Sequence, residues 1–530
     1  MKKSLKKCMA ILIVLCLLFG MTMLTACGGT GNNNSANDNG IMQPTPPNDN
    51  NNANKPTGPY SYQPHLSATL PEIRINTQNG NNNFTPIPQD SNVADSSRKQ
   101  EYAYEKATVS ITNCDATDSK TNVEAQIKVR GNSTSYYAKK PFRIKFNTKQ
   151  SMLGLNNNFK AKDWVLLADW RDQAMLRNNI GLYLGQLFYK EIGLYASDFR
   201  NVELYLNGEY WGVYLLCEQN EVASERVNIN KPETNYTGTD IGYLVELDDY
   251  AEYEKPINHI QLNYNNHAEL TKYDYPDRNI MVGVGICAYS IKSKVYSNEQ
   301  HNFIENYLNN VYNICYKAII ENKYYEFNTD RTKIVESTTI QDAVTAVGNV
   351  VDLDSAVAVC ILQEIICDLD VNTSSFYMSI DLSPTGDGKL HFQAPWDFDL
   401  SLGMRMTNHG GIPIRPWGLY AANSSNPWLV LLYKLDWMRE HIKIKWQDAK
   451  AHQVQEKLVE YIESSSKMYK DAYKKNYDKW KNIGMNIKDD DICIGIDPKA
   501  SWKCETQEEA ATFLKDWLRV RFAYLNSIWC

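Results

Sequence analysis

The chain has 530 residues, 43% of them hydrophobic and 22% charged, with a formal net charge of −7. That length and composition support a sizeable buried core, and the acidic balance argues against a nucleic-acid binder, which would carry a basic excess. Thirty-four tyrosines and 12 tryptophans against eight histidines suit an aromatic core or a surface for polar organic groups, and no CxxC or Cys/His spacing points to zinc.

Residues 1–26 are expected to be a secretory signal: four lysines, an apolar run from Met9 to Met23, then Leu24-Thr25-Ala26 before Cys27. The apolar run is shorter than the roughly 20 residues a spanning helix needs. The cysteine at the cleavage point resembles a bacterial lipobox, which implies lipidation of Cys27 and an extracytoplasmic protein held to the cell membrane only through its lipid. Residues 27–67, rich in Asn, Gly and Pro, hold little to bury and read as a disordered stalk. Of the 12 cysteines, Cys8, Cys16 and Cys27 belong to the leader or the lipid. The remaining odd number at irregular spacing reads as free thiols rather than a disulfide framework.

Residues 68–530 then form one large domain or two closely packed ones, strand-rich over about 68–265 and helical over about 266–530. Period-two patterning marks LPEIRINT, ATVSIT, VEAQIKVRG, PFRIKF, VELYLN and YWGVYLL as strands, with NGEY as the hairpin turn between the last two. The polar stretch 77–99 reads as a surface loop. Apolar residues at three- and four-residue spacing predict an amphipathic helix over 174–190 packed on the resulting sheet. Further on, helices are expected at 302–320, 352–369, 426–450, 457–480 and 507–529, and a hairpin joins SFYMSI to KLHFQA through SPTGDGK. The fold class is α+β.

Two stretches carry chemistry: ICDLDVNTSSFYMSID (366–381) and KLHFQAPWDFDLSLG (389–403). An aspartate-rich loop at a helix end, followed by a strand ending in two more aspartates, is the layout of a phosphoryl-transfer site. One carboxylate orients the attacking hydroxyl and another holds the Mg²⁺ that bridges the nucleotide phosphates. Asp370 is the candidate for the first task, with Asp368 its competitor, and Asp397 for the second. Asp399 is a further hard oxygen ligand two residues on, and Asn372 stands where a kinase-type loop carries a metal-binding amide. Phosphates also need cations. Alternation along PFRIKF sends Arg143 and Lys145 to the face opposite Phe142, Ile144 and Phe146, so Lys145 is expected to reach a cleft, with Lys140 as the alternative. Glu218, closing YWGVYLLCE, is the lysine's partner by analogy with ordinary kinases. Neither GxGxxG nor GxxxxGK[ST] is present, and the absence of GxSxG and HExxH weakens hydrolase and metalloprotease readings.

IKVRGNSTSYYAKKPFRIKF (127–146), DWVLLADWRDQAMLRNNI (163–180), VELYLNGEYWGVYLLCEQ (202–219) and PWDFDLSLG, in this order, resemble the CotH family, the spore-coat H type of atypical protein kinase. The resemblance runs from about Leu70 to the C-terminus. It implies a distant protein-kinase-like fold with a strand-rich lobe and a mainly helical one. It also implies use of ATP with Mg²⁺ or Mn²⁺ and transfer to Ser/Thr of an exported protein. It places Ser375 at the family's asparagine-like metal position and has RGNST cover the phosphates. Arg130 and Arg177 are the cations in family-like motifs; either touches phosphate or binds buried carboxylates such as Asp172. A nucleotidyl transferase and a non-catalytic surface adhesin or scaffold are the alternatives.

Overall fold

The computed structural model describes residues 58–87, 100–263, 286–404, 412–415, 418–484 and 504–530. The signal, Cys27 and most of the expected stalk lie outside the described residues.

The sheet expected of the first half is closed: seven strands form a barrel. β1 (Glu72–Thr77), β2 (Glu105–Thr112), β3 (Lys120–Val129), β4 (Phe142–Gln150), β5 (Ala161–Leu167), β6 (Phe199–Leu206) and β7 (Glu209–Glu218) are arranged in the order β1-β2-β3-β4-β5-β7-β6. The ring closes through a parallel pairing of β1 with β6, Glu72 opposite Glu203. Between β6 and β7, Asn207 and Gly208 both have positive φ, as a two-residue hairpin turn requires. The alternating apolar residues, among them Ile75, Ile127, Ile144, Trp164, Leu204 and Leu216, fill the interior. β5 and β7 are apolar on their outer faces too, because Val165, Leu167, Leu215 and Cys217 join a second, larger core.

That outer face is covered by α1 (Arg177–Tyr189), all of whose residues are buried. The helix begins three residues later than expected. The carboxylate of Asp172 accepts from the backbone N–H of Ala174, Leu176 and Arg177, which holds 174–176 in a turn. It is also not amphipathic, because its far side meets a helix of the second half.

After the barrel the chain forms β8 (Gly242–Leu247), β9 (His259–Asn263), β10 (Ile286–Ile291), α2 (Asn298–Tyr316), a small hairpin of β11 (Tyr325–Phe327) and β12 (Ile334–Glu336), α3 (Ala343–Gly348), α4 (Leu353–Ile366), β13 (Phe376–Asp381) and β14 (His391–Phe392). α5 (Pro427–Leu432), α6 (Asp436–Ala451), α7 (Val454–Met468), α8 (Lys470–Trp480) and α9 (Gln507–Trp529) follow. The single helices expected over 426–450 and 457–480 are each broken in two. At Tyr469 the break lets Tyr469, Tyr473 and Tyr477 pack with Met175 and Val213.

The α+β class holds, but strands and helices are not segregated into successive lobes. A five-stranded antiparallel sheet, β14-β13-β8-β10-β9, takes strands from both sides of residue 265. α4 packs against α1 and delivers the chain into the aspartate-rich loop. Asp352 caps α4, its carboxylate accepting from Ser355 N at 2.8 Å.

The end of the expected stalk belongs to the folded domain. Tyr60 is fully buried, its hydroxyl donating to Asp448 Oδ2 at 3.0 Å, and His65 pairs with Asp198 at 3.0 Å. Aromatic residues in this stretch bury enough surface to offset the ordering of the chain. Cys114, Cys217, Cys315, Cys360, Cys367, Cys504 and Cys530 are free thiols, as expected of this cysteine pattern. Among the described residues no helix is long and apolar enough to cross a membrane.

Candidate functional site

A groove of about 1240 Å³ runs between the barrel rim and the open face of the five-stranded sheet. The RGNST segment forms its roof, Gln219–Glu221 at the exit of β7 one wall, and Glu246, Lys292 and Tyr377 its floor. At one end lie Asp370, Ser375, Asp397 and Asp399, with Arg130 and Arg171 facing them from the barrel side.

The two aspartate segments reach this end by different routes. α4 stops at Cys367, which takes a left-handed conformation (φ 51°) as helix C-caps do. The next residues form a tight turn in which Thr373 N and Ser374 N both donate to the carbonyl of Asp370, at 2.9 and 2.7 Å. Within it Asp368 is buried, its Oδ1 accepting from Asp370 N at 3.2 Å, whereas Asp370 lines the groove. The pair is therefore separated by burial, and Asp370 is the member exposed to a ligand. Asp397 follows β14 with a φ of 64°, and Ser375, also left-handed at 58°, donates its hydroxyl to Asp397 Oδ2 at 3.5 Å. Non-glycine residues held in this region each cost of order 1–3 kcal/mol and cluster where a surrounding structure fixes them for use.

The turn after Asp397 is gripped by α1. Asn178 accepts from Phe398 N at 2.8 Å and donates to Asp169 at 2.7 Å. The Phe398 ring fills a notch at Gly181, where an added Cβ would stand 2.1 Å from it. Arg177 is fully buried, paired with Asp172, and its guanidinium donates to the carbonyls of Ser401 and Leu402 at 3.1 and 3.3 Å. Of the two roles open to Arg177 in the sequence, it takes the structural one. Arg130 does line the groove, its guanidinium 5.6 Å from the Trp396 ring centroid and close enough to Asp397 to favour that carboxylate's ionised form.

The remaining predicted residues are not brought to this end. Lys145 is on the predicted face of β4, but it is exposed, with its ammonium 5.7 Å from the Tyr104 ring centroid. The groove passes instead at Arg143, two residues away, which pairs with Asp163 at 2.9 Å. Lys140 donates to the carbonyl of Ser135 at 2.6 Å. Glu218 is buried and pairs with Arg226, not with a lysine, at 3.0 Å. Asn372 spends its amide inside the protein, donating to Leu369 O and Tyr420 Oη and accepting from Ser425 N at 2.8 Å. Three participants were not singled out from the sequence: Asp169, Arg171 and Lys139. All border a cavity of about 20 Å³ beside Asp397 and Asp399. The run ADWRD directly after an apolar strand was the available signal for the first two.

This end of the groove is dense in buried carboxylates. Burial raises the pKa of Asp397, against the opposing pull of Arg130 and Ser375. Asp399 is pushed well above the usual carboxylate range by burial, then by Asp397 and Asp370, and Asp368 by burial and then by Asp370. Asp169 is pushed up to about 6 by burial and the neighbouring Asp172, and burial draws Lys139 down to about 7. Several carboxylates thus hold protons more tightly than usual, first because they are buried and then, for Asp399, Asp368 and Asp169, because other carboxylates lie close by. Among the described residues no three His, Cys, Asp or Glu side chains form a closed metal cage.

A family model described as CotH kinase protein matches residues 127–525, about three-quarters of the chain. The chain belongs to the CotH family. No curated protein matches it. The CotH match takes in the end of β3, the RGNST segment, both aspartate segments and all but the last residues of α9, so every residue lining the acidic end of the groove falls inside it. At family level this is a kinase-related function.

Proposed function

We propose that the protein is an extracytoplasmic, lipid-anchored kinase that transfers the γ-phosphoryl of ATP, carried with Mg²⁺ or Mn²⁺, to Ser or Thr hydroxyls of exported proteins. The observation that carries the reading is the convergence of Asp370 with Asp397 and Asp399 at one end of a groove, although some two dozen residues and a hairpin separate the two segments. Asp397 and Asp399, with Ser375 beside them, would hold the metal, which would supply neutralisation of the phosphate charge. Arg130 and Arg171 face the phosphates from the barrel side. Asp370 takes the proton of the acceptor hydroxyl as its oxygen forms the new P–O bond and the bond to the β-phosphate breaks, releasing ADP. Attachment through Cys27 and export rest on the sequence of the leader.

Incubation of the protein with γ-labelled ATP and Mg²⁺ or Mn²⁺, with mass analysis of self-labelled or added acceptor protein, tests this. Addition of a single phosphoryl group to Ser or Thr is expected. Addition of a nucleotidyl group would replace the kinase with a nucleotidyl transferase, and no binding of nucleotide at all would leave a scaffold or adhesin.

A further inference from the structure

The aspartate-rich loop has a second set of contacts that the proposed chemistry does not use. Glu364, on the last turn of α4, is fully buried, and so is Arg521 of α9. Arg521 donates to Glu364 Oε2 at 2.7 Å and to the Glu364 carbonyl at 2.6 Å. The same carboxylate accepts from Tyr420 N and Ala421 N, each at 2.6 Å. The pair therefore fixes residues 420–421 against the helix that feeds the loop. From there the Tyr420 hydroxyl reaches the loop itself. It donates to the carbonyl of Asp368 and accepts from Asn372 Nδ2 at 3.1 Å. Asn426 adds a bond from its Nδ2 to the Val371 carbonyl at 2.8 Å. Asp370 thus stands between two residues whose polar groups are pinned by one phenol.

We propose that Tyr420 is a positioning residue for Asp370. It sets the loop so that the Asp370 carboxylate faces the groove while Asp368 stays buried, and α9 is the strut that holds Tyr420 in place. A kinase-type base must sit within hydrogen-bond reach of the acceptor hydroxyl, and a displacement of about 1 Å can cost on the order of a hundredfold in rate. The Tyr420 ring is buried, with the Arg415 guanidinium 5.0 Å from its centroid, so loss of the hydroxyl alone leaves the packing of the ring unchanged. The catalytic part of this inference rests on the kinase reading; the positioning part does not.

The test is Tyr420→Phe in the full chain, read in two ways. Hydrogen exchange is expected to speed up at the amides of 370–374 and to stay unchanged at 397–402, which α1 holds. Phosphoryl transfer is expected to fall roughly ten- to hundredfold in kcat with KM for ATP unchanged. Asn372→Ala cuts the same link from the loop side, and the double variant should lose no more than the worse single one if the two act as a unit. Unchanged exchange at 370–374 would overturn the positioning role. Faster exchange with unchanged kcat would overturn its bearing on the reaction. Parallel loss in kcat and ATP affinity, together with a lower Tm, would show a merely structural tyrosine. Should the unmodified protein bind nucleotide but transfer nothing, the kinase reading fails, and the exchange measurement still decides whether Tyr420 orders the loop.

Discussion

The two segments that bring aspartates to the groove are each clamped by a buried arginine, but from opposite parts of the chain. Asp397 and Asp399 stand on a turn held by Arg177, Asn178 and the Gly181 notch of α1, all within the first 190 residues. Asp370 stands on a loop held through Tyr420 by Glu364 and Arg521, the latter nine residues before Cys530. In both, the guanidinium is fully buried, pairs with a buried carboxylate and spends its other N–H groups on backbone carbonyls. Such pairs are weak sources of net stability, yet removing one partner strands a buried charge. The Asp397/Asp399 end and the Asp370 end each have their own clamp, but they also touch, since Ser375 bonds Asp397 and Leu402 N donates to the Ile366 carbonyl at 2.7 Å; loss of one clamp should therefore tell first and most at its own end.

The sharpest break of that symmetry is chemical. Asp397→Ala is expected to abolish metal-dependent nucleotide binding, whereas Asp370→Ala keeps binding and lowers transfer by about 10²- to 10⁴-fold. Calorimetric titration with ATP and Mg²⁺ separates the two, and equal loss of binding in both would refute the division of labour. Next in size, Arg521→Met leaves the Glu364 carboxylate buried without its ion partner and should destabilise the fold by about 3–5 kcal/mol, seen as a lower denaturation midpoint. A neutral outcome would mean that the carboxylate finds water or another donor.

Gly181→Ala probes the other clamp. Its Cβ would collide with the Phe398 ring, and overpacking of this kind costs about 1–3 kcal/mol. The loss should appear as weaker Mg²⁺–ATP binding with exchange at 370–374 altered less than at 397–402; a change confined to 370–374 would contradict separate clamps.

A smaller effect follows from the burial of these carboxylates. Metal ligands must be deprotonated, and Asp397 and Asp399 have raised pKa values. Mg²⁺–ATP affinity should therefore fall on acidification from a higher pH than an ordinary carboxylate would give. Because Asp370 contributes to the rise at Asp399, Asp370→Asn should move the midpoint of that fall to lower pH. A midpoint that stays put would show that the two ends are electrostatically separate as well. Least of all, Lys145→Met should change ATP affinity by less than about twofold, since Lys145 is exposed and off the groove; a tenfold loss by titration would restore the lysine to the site.

How much of this was legible beforehand depended on the range of the interaction. The strands, the Asn207-Gly208 turn and the helix that becomes α4 follow from neighbours a few residues apart, which is why period and turn signals found them. The face of Lys145 was read correctly from the same alternation. Its distance from the groove was not, because where a groove crosses a strand is set by the elements packed over it. The same holds for Asp368 against Asp370: two residues apart in one motif, they differ in that the fold buries the first and leaves the second facing the groove.

The sequence by itself determined the α+β class, the free-thiol character of the described cysteines, the family and the segments that carry the carboxylates, all of which rest on local pattern and residue chemistry. Only the tertiary structure decided that the first strands close into a barrel, that one five-stranded sheet joins both halves, that Tyr60 and His65 belong to the domain, and that Asp169 and Arg171 share the acidic end while Lys140, Lys145 and Glu218 do not. Those outcomes depend on which buried surfaces and charges meet across hundreds of residues, and a buried ion or hydroxyl takes whichever partner the packed core leaves within reach.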